Sequence, residues 1–529
     1  MPSTLLCPAA VLVPTLGWTD IAAILPALIL FATGAVVLVV DLFSRPATGP
    51  DAALETRKPA LHFLALLGTV LAGAQVCGAL SSQDGVARGF FLDAVRVDRF
   101  ALAMSFLVIV GAAFTLLAAA DALRRRGLEH GEFHALVLFA AGSMVLFVQS
   151  SSLILVFLSL ETLSMAVYIL TAYTRDERRS VEGALKYFVL GGLSTGFLLF
   201  GMAFIYGATG TTNLAQIPAA IAKAGGAPDA SLLGAGAALL LIGLGFKVGA
   251  FPFHSWVPDA YEGALSVVTG FMAVTVKVAS FGVLLRFVLL LAGPGGALAA
   301  LPELRGGLIL GLSTLAVLTM VFGNAVAVVQ TSAKRMLAYS AIAHTGYLLV
   351  GVVAAADASA PAAAGTAGNP GAAVVFYLFP YALMTLGAFA CMSYLGRGGE
   401  DRETISSYRG LSRRHPGLAL AILLLMISFA GIPPTPGFWG KLYIFQQAIA
   451  TGHWALALVG ILTSIISVYY YLSLVVAMYM QASDGEPADE PSEPRTLGRL
   501  AIALAVAGVV LLGFFPQIFF QLSQSYALR

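Results

Sequence analysis

Charge is scarce in this chain. Of 529 residues only 11% are Asp, Glu, Lys or Arg and 59% are hydrophobic, against about 25% charged in a soluble domain, which excludes water as the main solvent. The net charge of +2 is small and dispersed. No basic run is interleaved with aromatics, so a nucleic-acid surface is excluded as well. Cysteine is equally sparse: Cys7, Cys77 and Cys391 are far apart and form no CxxC pair, which leaves neither an iron-sulfur cradle nor a disulfide framework. Redox chemistry, if any, is expected elsewhere. Met1 to Asp20 hold no Lys or Arg, so they lack a signal-peptide n-region, and no cleaved leader is expected.

Long apolar runs are abundant. They lie near 20–42, 60–80, 98–121, 132–149, 151–173, 183–207, 231–251, 264–291, 307–330, 336–356, 373–396, 416–447, 453–480 and 498–522. Each is long enough to cross the ~30 Å hydrocarbon core as a helix, so the expected fold is an all-α polytopic membrane protein of fourteen spans. Lys and Arg concentrate in the odd-numbered loops, at Arg124 to Arg126, at Arg175, Arg178 and Arg179, and from Arg397 to Arg414. Arg99, Arg286 and Arg499, near span ends, are assigned to the adjacent loops. The odd loops are then cytoplasmic and both termini face outward. Segments 357–372 and 484–493 read as solvated loops.

Two spans read as broken. The run from Leu418 to Gln447 would measure ~45 Å as one helix, too long for an ordinary crossing, and its middle is Gly431-Ile432-Pro433-Pro434-Thr435-Pro436-Gly437. The run near 231–251 passes through Gly243, Gly245 and Gly249 into Pro252 and Pro258. Each break has a lysine beside it, Lys247 or Lys441. Paired interrupted helices in two halves point to an inverted repeat with its site near the midplane; the bland reading is a pair of proline kinks.

Isolated charges sit inside the apolar runs. Glu161 shares a helical face with Ser164 and Tyr168, and a charge at that depth calls for a partner in the bundle. Lys247 and Lys277 are also deep. A lysine out of water gives up its proton more readily and a nearby carboxylate opposes this, so a Glu161–Lys247 pair that forms and parts would make a gated relay. Snorkelling and structural pairing are the alternatives. Lys186 follows Glu182 by four residues and reads equally as a local salt bridge or a relay member. His254 and His344 are relay intermediates or hydrogen-bonded core residues. Ser464, Ser467 and Tyr471 form another polar stripe. Asp259 and Glu262 read as entrance acids, or as capping or contact acids. The Gly-rich strings at Gly234 and Gly243 lie inside spans and read as packing positions, not phosphate loops.

At Glu182-Gly183-Ala184-Leu185-Lys186-Tyr187-Phe188, at Pro252 through Gly263, at Lys334 through Ser340 and at Gly431 through Lys441, the chain resembles the antiporter-like proton-pumping subunits of respiratory complex I. The resemblance covers nearly the whole chain. It implies two inverted five-helix repeats with broken seventh and twelfth helices: a peripheral segment 1–131, repeats 132–292 and 307–480, and a last helix 498–529. It makes Glu161 and Lys247 a coupled pair, Lys277 the central relay and Lys441 the terminal proton site, with Lys186, His254 and His344 tuning or bridging the path. Lys441 and Tyr261-Glu262-Gly263 read as N-type, since M-type members carry a glutamate in place of Lys441. L-type members continue into a long lateral helix, whereas this chain ends soon after its last span. The family continues Gly263-Ala264 with proline, where this chain has Leu265. The resemblance further implies a bacterial inner-membrane location with both termini periplasmic, neighbouring antiporter-like and small membrane subunits as partners, and no cofactor in this chain; NADH, FMN, iron-sulfur clusters and quinone belong to partner subunits. The alternative is a subunit of a multisubunit cation/proton antiporter.

Overall fold

The computed structural model describes residues 17–43, 59–82, 87–223, 230–357, 369–396, 403–482 and 496–528. Cys7, Arg397, the segment 484–493 and most of 357–372 lie outside the described residues. Thirteen described helices are long and apolar enough to cross a membrane: Trp18–Phe43, Ala60–Ser82, Arg99–Arg126, Gly131–Gln149, Leu153–Thr171, Arg178–Thr209, Ala230–Val248, Ser266–Ala292, Pro302–Val328, Ala333–Ala356, Gly371–Leu395, Trp454–Met480 and Thr496–Phe514. Two shorter helices, Pro416–Ala430 and Pro436–Ala450, run in series before Trp454. Joined, they supply the twelfth of fourteen spans, and spans are numbered so below.

The eighth, tenth and eleventh spans are almost wholly enclosed, while the first, second, ninth and thirteenth expose broad apolar faces. Close helix approach depends on small residues, as expected where lipid gives no hydrophobic drive. A Cβ at Gly323 of the ninth span would lie 2.6 Å from the Ala343 nitrogen of the tenth.

Four local features depart from the expectations. A short antiparallel hairpin, Arg88–Phe90 with Val95–Val97, precedes the third span. The last span ends at Phe514, because Pro516 cannot continue a helix; it starts a separate helix, Pro516–Tyr526. The eighth span widens into a π-helical turn over Met272–Val276, directly before Lys277. Arg286 does not belong to a loop: it is buried within the eighth span, its two terminal nitrogens bonded to Asp98 at 2.8 and 3.0 Å. Asp98 also accepts from Ala101 N at 2.7 Å, capping the third span. Arg286→Met leaves that carboxylate buried without its counter-ion, so a loss of about 3–5 kcal/mol is expected. It would read as a lower thermal midpoint in detergent, partly restored by adding Asp98→Asn.

One arrangement occurs twice. Ser152, before the fifth span, forms an isolated β-bridge with Asn213, which starts the 3-10 turn Leu214–Gln216. Ser332, before the tenth span, bridges Thr404, which starts the 3-10 turn Ile405–Tyr408. Each turn leads on toward a broken span.

Candidate functional site

Both breaks are built on the same short sequence logic. The first half-helix ends at a left-handed glycine, Gly249 at φ 74° or Gly431 at φ 77°, a conformation only glycine adopts cheaply. A proline follows three residues later, Pro252 or Pro434. In that register Lys247 matches Phe429, and Lys441 matches Asp259. The two lysines flank opposite sides of their breaks, a correction to their reading as an equivalent pair.

A helix end at membrane depth must have its carbonyls satisfied, and the two breaks do this differently. At the first, Thr345 of the tenth span donates to Val248 O at 2.6 Å and Trp256 Nε1 donates to Phe246 O at 3.1 Å. At the second, the buried ammonium of Lys441 donates to Phe429 O at 2.9 Å and Ala430 O at 3.3 Å, and to Ser464 Oγ at 2.8 Å. A cation there also suits the negative end of the half-helix dipole.

Lys247 bonds not to Glu161 but to the two hydroxyls that follow it on the same stripe, Ser164 Oγ at 2.8 Å and Tyr168 OH at 3.4 Å. Its ammonium lies 5.2 Å from the ring centres of both Tyr168 and Tyr187. Glu161 is near enough for its charge to act on Lys247, and its Oε1 is buried without a hydrogen bond among the described residues. An enclosed cavity of about 10 Å³ is lined by both Lys247 and Lys277, room for about one water.

Lys277 donates to Ala341 O, the carbonyl that also accepts from Thr345, and lies 5.0 Å from the Tyr381 ring centre. His344 stands one turn beyond Ala341, within the fields of Lys277 and Lys441. Its Nδ1 meets Tyr377 OH at 2.6 Å, its Nε2 meets Tyr471 OH at 3.1 Å, and Tyr471 continues to Ser340. Hydroxyls can donate and accept, so this row can pass a proton through either ring nitrogen.

The family described as NADH:quinone oxidoreductase/Mrp antiporter, TM, matches residues 150–467. A Herpetosiphon aurantiacus protein named NADH-quinone oxidoreductase subunit N 1 is 40% identical over 97% of this chain and 98% of its own. This chain belongs to the NADH-quinone oxidoreductase subunit N family. A chain of respiratory complex I from Thermus thermophilus superposes with a TM-score of 0.72 at 33% identity, covering 93% of this chain and 98% of that one. A chain of the Mrp complex from a Dietzia species shares the fold, with a TM-score of 0.78 at 20% identity over 96% of this chain and 97% of that one.

Within this N-type chain two of the sequence candidates stand off the enclosed line. Lys186 is half exposed and pairs with Glu182 at 2.9 Å and Asp259 at 2.7 Å. Asp259 and Glu262 both accept from Arg335 at 2.8 Å, so these acids join an ion-pair cluster. His254 packs between the rings of Phe251 and Phe322, with its Nδ1 lacking a hydrogen bond among the described residues. Sequence reasoning passed over Tyr377 and Tyr381 of the eleventh span. Their i, i+4 spacing across Pro380 was the available signal.

Proposed function

We propose that this subunit moves protons along the line Glu161, Lys247, Lys277, His344 and Lys441, driven by quinone reduction elsewhere in NADH-quinone oxidoreductase. The observation that carries it is the enclosed cavity shared by Lys247 and Lys277, the one place where consecutive lysines of the line face a common space. An ammonium beside a carboxylate keeps its proton, and one left among hydroxyls and rings out of water gives it up more readily. Movement of Glu161 toward Lys247 and away again then alternates loading and release. Released protons pass by the cavity water to Lys277, and by His344 and its tyrosines toward Lys441.

In this reading 132–292 and 307–480 are inverted repeats, supported by the doubled serine bridge. The chain lies in the bacterial inner membrane with both termini periplasmic, beside a neighbouring antiporter-like subunit and small membrane subunits. NADH, FMN, iron-sulfur clusters and quinone are held by partner chains. Purification of the tagged chain from mild detergent tests it: companions that oxidise NADH and pump protons in vesicles are expected. Gradient-driven sodium exchange without NADH oxidation would make the chain part of a cation antiporter instead.

A further inference from the structure

A groove of about 520 Å³ opens between the eleventh, twelfth and fourteenth spans. Its walls are apolar, from Leu418, Leu420, Ala421 and Leu424 on one side and Ile502 and Val506 on the other. Its mouth is cationic: Arg414, His415 and Arg499 line it together with Tyr394, and no acidic residue does. Arg499 is exposed, and Tyr394 fixes it from one side, accepting from Nε at 2.7 Å. The twelfth span also begins at this mouth, with Pro416 at its first position and no side-chain cap from His415, so its backbone N–H groups add positive potential where the arginines stand. Along the outer wall Leu420 and Leu500 are exposed, as side chains facing acyl chains would be.

We infer that this groove binds one anionic phospholipid, its phosphodiester held by Arg414 and Arg499 and an acyl chain laid against Leu420, Leu424 and Val506. A groove lined this way has a polar requirement at one end only and an apolar one along its length, which a lipid meets and a free anion does not. Guanidinium groups favour the planar, paired acceptance that phosphate offers. The mouth lies where the Arg-rich eleventh loop and the thirteenth loop meet, the side where anionic lipid is drawn to basic pockets between helices. The inference needs only the membrane setting and is independent of the proton line.

The test uses the intact complex, stripped of lipid and then titrated in nanodiscs with phosphatidylglycerol or phosphatidylcholine, bound lipid being counted by native mass spectrometry. Phosphatidylglycerol is expected to bind tighter than phosphatidylcholine, and the pair Arg414→Gln and Arg499→Gln to weaken it by roughly tenfold or more. Ala503→Trp, which fills the groove and keeps both charges, should weaken it too. Equal binding of the two lipids, or displacement by inorganic phosphate, overturns the proposal. So does phosphatidylglycerol binding that appears only after deletion of the acidic segment 484–493, since the groove would then hold the chain itself.

Discussion

Replacing Lys247 with methionine is expected to cut proton translocation, and the quinone reduction coupled to it, by roughly tenfold or more while the complex still assembles. The reason assembly survives lies in what Lys247 touches. Ser164 already donates its hydroxyl hydrogen to Leu160 O, so losing the lysine removes a donor it accepted from and strands no donor of its own. Tyr168 is bonded only at 3.4 Å. The rings of Tyr168, Tyr187 and Phe246 around the ammonium accept a thioether of similar length without strain. What methionine cannot do is hold a proton beside the cavity shared with Lys277. Vesicle acidification measured against the amount of complex on a native gel separates the two effects. Wild-type acidification by assembled Lys247→Met complex would remove Lys247 from the pathway.

Much of this architecture was legible in the residues, for identifiable reasons. A span needs only a long apolar run, so thirteen helices fall where the runs are. The twelfth break was visible because Gly431, Pro433, Pro434 and Pro436 leave no helical alternative. Pairings across the chain were not legible, since they depend on which helices meet. Asp98 and Arg286 are 188 residues apart, and each alone resembled a residue of a span end. The lysines were matched by their distance to a proline, but the register follows the left-handed glycines, which put Lys247 opposite Phe429. Leu265, the departure from the family wording, sits at φ −53° and ψ 140°, within the range proline itself would hold, so the turn is kept without it.

Lys441 carries two duties that a single substitution confounds, and a pair of substitutions is expected to divide them. Its ammonium is hydrogen-bond donor to the last carbonyls of Pro416–Ala430 and, in the proposed line, the terminal proton site. Lys441→Met removes both. A buried carbonyl left unsatisfied costs about 1–3 kcal/mol, so this variant should show less assembled complex, a lower thermal midpoint and no translocation. Lys441→Arg keeps a cation and several donors at the break but cannot release its proton under any working condition. Its larger head costs about 1–3 kcal/mol in a packed site, comparable to the loss it avoids, so assembly should exceed that of the methionine variant while translocation stays near background. Translocation at the wild-type rate by Lys441→Arg would show that Lys441 serves the break alone. The contrast with Lys247 is then physical: the first break is closed by Thr345 and Trp256, which frees its lysine for proton exchange, whereas the second must cap a helix and exchange a proton with one ammonium. Translocation through Lys441 therefore has to pass the cap to another donor each time the proton leaves, and Ser464, already 2.8 Å from Nζ, is the group placed to take part.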